Sequence, residues 1–143
     1  VSDESNELTV VVADDDADIR SLIVIAVRKA GLKLLADLPD GTQALESIRE
    51  HTPDLALLDV SMPGLTGLEV TRAIREDPEL SKAMVFILSA AVDDHAVAAG
   101  FAAGADAYMT KPFSPNTLAA QLTALIASTA TEPPVGQPQP PAP

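Results

Sequence analysis

The sequence predicts an open α/β fold, a doubly wound parallel sheet in which five strands alternate with five helices. Three observations carry this. Short, continuous apolar runs recur along the chain: Leu-Thr-Val-Val-Val-Ala at 8–13, Asp-Leu-Ala-Leu-Leu at 54–58 and Met-Val-Phe-Ile-Leu at 84–88, with weaker runs near 33–36 and 105–109. Such runs suit strands buried on both faces, as in a parallel sheet covered by helices. The segments between them carry helical spacing and helix-end signals, and regular alternation of the two element types is the mark of an α/β sheet.

Each element has a local reason. After the first run, Asp16 and Asp18 supply a cap and a first-turn charge for a helix whose Ile19, Leu22, Ile23 and Ala26 share one face. The run near 33–36 is the second strand. His51 follows the second helix, where a cation suits the negative end of the helix dipole. Beyond the third run, Thr66 and Glu69 have capping-box spacing, and the third helix stops before Asp77-Pro78, because the residue preceding a proline disfavours helical backbone. Asp93-Asp94-His95 open the fourth helix, with His95 on a solvated face, and Ala-Val-Ala-Ala-Gly-Phe-Ala-Ala-Gly follows. Gly100 and Gly104 weaken that helix by about 1 kcal/mol each, so it is expected to be the most mobile one. The last helix, 115–127, starts with Ser114 as N-cap and Pro115 in the first turn. Phe113 and Leu118 have the spacing of a hydrophobic staple, and Leu118, Leu122, Leu125 and Ile126 form the buried stripe.

The ends differ from the middle. Residues 1–7 are polar and read as a flexible N-terminal arm, and residues 8–127 as one domain. From 128 to 143 the chain reads as a proline-rich tail or linker. Six of the 12 prolines fall between Pro133 and Pro143, where a fixed φ and missing amide donors favour extended polyproline II. The chain opens on Val1, and with such a tail it is expected to be a piece of a longer product.

Composition narrows the function. The net charge of −12, from 21 acids against 9 Lys and Arg, disfavours direct contact with nucleic acid, whose binding draws mainly on clustered basic residues. A divalent cation is not excluded by such a surface. With no cysteine there is no disulfide, thiolate nucleophile or Cys-type zinc site, and two histidines are too few for a His-rich metal centre. No apolar run approaches the roughly 20 residues of a membrane span. A cytoplasmic, acidic domain is expected.

Ligands of open α/β sheets sit beyond the carboxyl ends of the strands. After the first strand stand Asp14, Asp15 and Asp16; after the third, Asp59; after the fourth, Ser89; after the fifth, Thr110 and Lys111. Crowded carboxylates repel one another, and a hard divalent cation relieves that. Mg²⁺ prefers oxygen ligands and keeps several waters, so two carboxylates and a backbone carbonyl are an ordinary protein contribution. An aspartate there can attack a phosphoryl group and form an aspartyl phosphate. Such transfer needs positioning and charge neutralisation, which the cation and Lys111 would supply, while the Ser89 hydroxyl could donate a hydrogen bond.

These residues also match a family. Val-Val-Ala-Asp-Asp-Asp-Ala-Asp-Ile-Arg (11–20), Leu-Leu-Asp-Val-Ser-Met-Pro-Gly (57–64), Ile-Leu-Ser-Ala (87–90) and Tyr-Met-Thr-Lys-Pro-Phe (108–113) closely resemble the receiver domain of bacterial two-component response regulators. The resemblance covers about residues 8–127 and implies a flavodoxin-like receiver fold. It implies Asp59 as phosphoacceptor, with Asp15 ligating Mg²⁺ directly and Asp14 through water or from a supporting position. The Ser61 backbone carbonyl falls where the family supplies a third protein ligand. Ser89 stands at the switch hydroxyl, Lys111 matches the lysine that pairs with phosphoryl oxygens, and Tyr108 matches the aromatic switch residue. The Lys111-Pro112 bond is cis in the family. Ala17 replaces a common proline, and small residues, Ser61 and Ala91, occupy variable positions beside the site.

The resemblance further implies a histidine kinase or phosphotransfer protein as phosphoryl donor and an output partner or domain, which the sequence does not name. The chain would not be an enzyme in the ordinary sense but would catalyse its own phosphorylation and dephosphorylation. Relatives with DNA-binding outputs often dimerise through salt bridges across the fourth helix, fifth strand and fifth helix. Here the fifth helix has no charged residue, and after Ala83 the only Lys or Arg is Lys111, so that ion-paired dimer is not expected. Two other readings compete. A haloacid-dehalogenase-like phosphohydrolase would use Asp14 as nucleophile and Asp16 as acid–base partner, but only Glu132 follows Lys111 as a further acid for its metal. A phosphate-independent interaction module would have no use for the acid pair, Asp59 and Lys111 together.

Overall fold

A computed structural model describes residues 7–91 and 93–130. Of the arm expected over 1–7 and the tail expected over 128–143, residues 1–6 and those after 130 lie outside the described residues. The strands are β1 (Thr9–Ala13), β2 (Lys33–Leu38), β3 (Leu55–Asp59), β4 (Met84–Ser89) and β5 (Ala107–Thr110). The helices are α1 (Ala17–Lys29), α2 (Gly41–His51), α3 (Gly67–Glu76), α4 (Asp94–Ala103) and α5 (Pro115–Ala130). All strand pairs are parallel, in the order β2-β1-β3-β4-β5.

The apolar runs behave as two-faced strands. Val10, Val12, Leu55, Leu57, Phe86 and Leu88 point to one face, where Ile23, Ala26 and Val27 of α1 and Leu118 and Leu122 of α5 cover them. Val11, Ala13, Ala56, Leu58, Val85 and Ile87 point to the other, under Ala44, Leu45 and Ile48 of α2 and Val70 and Ile74 of α3. Each fully buried Val, Leu, Ile or Phe contributes about 1.5–3 kcal/mol over leaving it in water, so the central strands fix the fold. The edge strands β2 and β5 are only half-buried over most of their length, which is why their runs are weaker in the sequence. Among the described residues no helix is long and apolar enough to cross a membrane.

The helix ends follow the chemistry of their caps. Asp16 Oδ1 accepts the amides of Asp18 and Ile19, Thr66 and Glu69 form the reciprocal capping box, and Ser114 Oγ accepts the Thr117 amide. Two details depart from the expectations. Gly104 is not inside α4 but caps its end in the left-handed region, φ +116°, so it stops the helix instead of weakening it. And α5 continues to Ala130, three residues past the expected end.

One clamp was not legible in the sequence. Arg75, in the last turn of α3, donates to the carbonyls of Gly104, Ser81 and Ala83 and pairs with Asp106 at 2.8 Å. Asp106 Oδ2 also accepts the Val85 amide. The guanidinium thus ties the C-terminal end of α4 to the starts of β4 and β5.

Chain order reverses at β1, which has β2 on one side and β3 on the other. Loops leaving β1 and β3 therefore diverge to opposite faces and open a crevice at their carboxyl ends.

Candidate functional site

The crevice holds the expected carboxylates. Asp14, one residue past β1, is completely buried; Asp59, the last residue of β3, is 4 % exposed; Asp15 lies open to solvent. One carboxylate oxygen from each lies within 4.8 Å of the other two. Asp59 is held from behind by Gly67, the first residue of α3. A Cβ there would collide with the Asp59 carbonyl, and the Gly67 amide donates to Val60. Only glycine lets α3 start this close to the strand end.

Lys111 crosses from the β5 end to join the cluster. Its Nζ donates to Asp14 Oδ2 at 2.9 Å and to Asp59 Oδ1 at 3.2 Å. Asp14 Oδ1 accepts the Asp16 amide at 2.9 Å, so both oxygens of Asp14 are engaged. The peptide bond after Lys111 is cis, as the resemblance implied. Burial, then the negative charge of Asp14, push the Asp59 carboxyl above the usual carboxylate range, and Lys111 only partly offsets them. For Lys111, burial is the largest single influence and pulls downward. The hydrogen bond to Asp14 and the charges of Asp59 and Asp14 together outweigh it, and the ammonium is held above its ordinary value.

Ser89, 5 % exposed at the end of β4, faces the same crevice edge. Its Oγ accepts the Ala91 amide at 3.0 Å, which leaves its O–H able to donate. The Ala91 carbonyl in turn accepts the Tyr108 hydroxyl at 3.0 Å. Ser89 and Tyr108 are therefore joined through the backbone of one residue. The half-buried Tyr108 ring lies against Gly100 of α4, where a Cβ would come within 2.9 Å of it, and 6.4 Å from the exposed Phe101 ring. The sequence marked Ala91 only as a small neighbour of the site. An alanine's backbone partners leave no trace in its side chain.

The donor set fits a hard divalent cation. It is all oxygen and carries three carboxylates. Lys111 pairs with both buried ones, Asp14 and Asp59, but only Asp14 has its second oxygen engaged as well, which leaves Asp15 and one oxygen of Asp59 for a cation. Ser61, exposed at the start of the β3–α3 loop, stands beside the cluster in sequence, two residues after Asp59. Asp16 caps α1 through Oδ1 and does not join the group formed by Asp14, Asp15 and Asp59. The larger concavities, about 510 and 540 Å³, share Leu8 and Ile126 and lie at the amino ends of the strands, away from these residues.

Comparison with known proteins agrees with this geometry. The profile of the response regulator receiver domain matches residues 10–123. The DNA-binding response regulator MtrA of Mycobacterium tuberculosis is 40 % identical over 124 residues, 87 % of this chain and 53 % of MtrA. The transcriptional regulatory protein CseB of Streptomyces coelicolor is 40 % identical over 122 residues, 85 % of this chain and 50 % of CseB. The chain thus spans about half the length of these relatives. The signal receiver domain of the response regulator NarL from Mycobacterium tuberculosis superposes with a TM-score of 0.76 at 32 % identity, covering 84 % of this chain and 97 % of that one. Residues 10–123, with a five-stranded flavodoxin-like sheet and an acidic crevice at its switch point, make this chain a member of the response regulator receiver domain family of two-component signalling.

Proposed function

We propose that Asp59 accepts a phosphoryl group from a phosphohistidine on a histidine kinase or phosphotransfer protein. The observation that carries this reading is a single one: Lys111 bridges Asp14 and Asp59 at the mouth of a three-carboxylate cluster. Mg²⁺ bound there would neutralise the carboxylates and the incoming phosphoryl oxygens. Asp15, exposed and uncommitted, would hold it directly, with Asp59 and the Ser61 carbonyl as the other protein ligands, while Asp14, both of whose oxygens are bonded, would act through water. An Asp59 oxygen attacks phosphorus, the bond from phosphorus to the donor imidazole breaks with its electron pair staying on nitrogen, and the imidazole, which carries a proton on its other ring nitrogen, leaves neutral. Lys111 turns from carboxylate to phosphoryl oxygen, and the Ser89 hydroxyl donates to another. Attack of water on the same phosphorus later releases inorganic phosphate and resets Asp59.

The link from Ser89 through Ala91 to Tyr108 converts this chemistry into a surface change. When the Ser89 side chain rotates to bring its hydroxyl to the phosphoryl group, Oγ moves away from the Ala91 amide, which loses its acceptor, the loop shifts, and the Tyr108 hydroxyl is released from the Ala91 carbonyl. The ring then moves and the face made by α4, β5 and α5 changes its affinity for an output partner or domain. MtrA is a DNA-binding response regulator, but this chain's net charge of −12 argues that the domain does not touch nucleic acid itself. Because α4 and α5 carry no Lys or Arg, it does so without a salt-bridged dimer across that face. It works in the cytoplasm, where kinases of this kind present phosphohistidine. Its self-catalysed phosphorylation and dephosphorylation make it a switch and not an enzyme with a released product of its own.

The test is incubation with acetyl phosphate with and without Mg²⁺. A label that forms only with Mg²⁺ and is removed by hydroxylamine, as an acyl phosphate is, supports the reading. A label that forms equally in excess EDTA contradicts it.

A further inference from the structure

We infer that Arg20 is a positioning residue for the cation site: it holds the peptide between Asp14 and Asp15 in the orientation that presents Asp15 to the cluster. This rests on reading the cluster as a Mg²⁺ site, and it adds a residue to which the transfer chemistry assigns no task.

Asp15 is the one member of the cluster with no side-chain support. Asp14 is bonded by Lys111 and the Asp16 amide, and Asp59 by Lys111. Among the described residues the Asp15 carboxylate has no hydrogen-bond partner, so its place depends on the backbone that carries it. That backbone is held on each side. The Asp14 amide donates to the Leu38 carbonyl at the end of β2, and the Arg20 amide donates to Asp16 O in the first turn of α1. Between them, Arg20 Nη1 donates to the Asp14 carbonyl at 2.7 Å, while Nε of the same guanidinium pairs with Asp37 Oδ1 of β2 at 3.0 Å. The Asp14 carbonyl belongs to the peptide plane from which Asp15 departs, and turning that plane swings the Asp15 side chain.

Three facts separate positioning from other roles. The pair with Asp37 is at the surface, the Asp37 side chain being 41 % exposed, and such pairs add little stability. Arg20 reaches the carbonyl and the carboxylate through two different nitrogens held in one rigid plane, whereas a lysine ammonium would have to serve both from a single nitrogen and fixes their geometry less. And electrostatics gives the opposite sign: a guanidinium beside the cluster opposes a divalent cation, so its charge alone would make Arg20 unfavourable for Mg²⁺.

The experiment is a Mg²⁺ titration followed by amide chemical shifts, on the wild type, Arg20→Lys and Arg20→Gln, with thermal melts to establish that each is folded. Loss of outer supports typically lowers metal affinity by about 10–100-fold. Both variants are expected to bind Mg²⁺ about tenfold more weakly, with Arg20→Lys no better than Arg20→Gln although it keeps the charge. Equal or tighter binding in the two overturns the inference, as does full rescue by lysine. Should either fail to fold, Asp37→Ala, which releases the outer end of the fork, must still weaken Mg²⁺ binding, and unchanged affinity there overturns it. A wild type that shows no saturable Mg²⁺ binding would instead remove the reading of the site itself.

Discussion

Replacing Lys111 with alanine separates the two carboxylates from the charge that holds them together. Nζ lies 2.9 Å from Asp14 Oδ2 and 3.2 Å from Asp59 Oδ1, and the three side chains are 18 %, 0 % and 6 % exposed. Removing one partner of a buried pair costs about 3–5 kcal/mol. Lys111 keeps some water and Asp14 keeps the Asp16 amide, so the low end, about 3 kcal/mol, is expected. In a domain of this size that lowers the melting temperature by about 10 °C. The domain still folds, because neither core face contains Lys111. Without the ammonium, Asp59 binds a proton more readily in the folded state, so the deficit is largest at neutral pH and shrinks as acidification protonates the carboxyl. Excess Mg²⁺ restores part of it by replacing the lost charge. Circular dichroism melts at neutral and mildly acidic pH, each with and without Mg²⁺, read all of this. Phosphorylation or downstream signalling of Lys111→Ala is impaired even where the fold is intact. A melting temperature equal to wild type in Mg²⁺-free buffer would refute the reasoning, and so would a deficit that deepens on acidification.

Other outcomes follow from the same contacts. In the folded protein the Asp59 carboxyl sits above its unfolded value of 3.8, so its ionisation opposes folding; this destabilisation begins as pH rises past the unfolded value and is complete above the folded pKa. Asp59→Asn is therefore expected to raise the urea midpoint of Mg²⁺-free protein at neutral pH, with the gain fading as pH falls toward that unfolded value; a lower midpoint at neutral pH would contradict this. Tyr108→Phe removes the bond to the Ala91 carbonyl and costs at most about 1 kcal/mol, since that hydroxyl is near the surface. It should leave phosphorylation rates unchanged while reducing the phosphorylation-dependent shifts of α4 amides, and full-sized shifts would show that Ala91 does not relay the switch. Gly100→Ala gains about 1 kcal/mol of helix propensity but puts a methyl within 2.9 Å of the Tyr108 ring. With one tyrosine and no tryptophan, intrinsic fluorescence reports that ring alone, and a changed emission without a gain in stability is expected.

The sheet was legible because its central strands are buried on both faces and write continuous apolar runs. The site was legible because Asp14, Asp15, Asp59, Ser89 and Lys111 each stand directly after such a run, and parallel strands bring those positions to one edge. What was hidden works through backbone. Arg20 and Arg75 act on carbonyl groups of residues six to 29 positions away, and a carbonyl has no residue type. Gly67 reads as an ordinary helix start until the Asp59 carbonyl is seen behind it. The capping role of Gly104 is hidden for a related reason: whether a glycine lies inside a helix or ends it depends on one φ angle, which the small-residue run of α4 does not fix. Asp16 shows the reverse, since its cap role was readable from spacing alone.

The most direct test of the account is the intact mass of the protein after incubation with acetyl phosphate and Mg²⁺, wild type beside Asp59→Asn. The account predicts one added phosphoryl group on the wild type and none on the variant. A label that persists on Asp59→Asn would contradict the assignment of Asp59 as the phosphoacceptor.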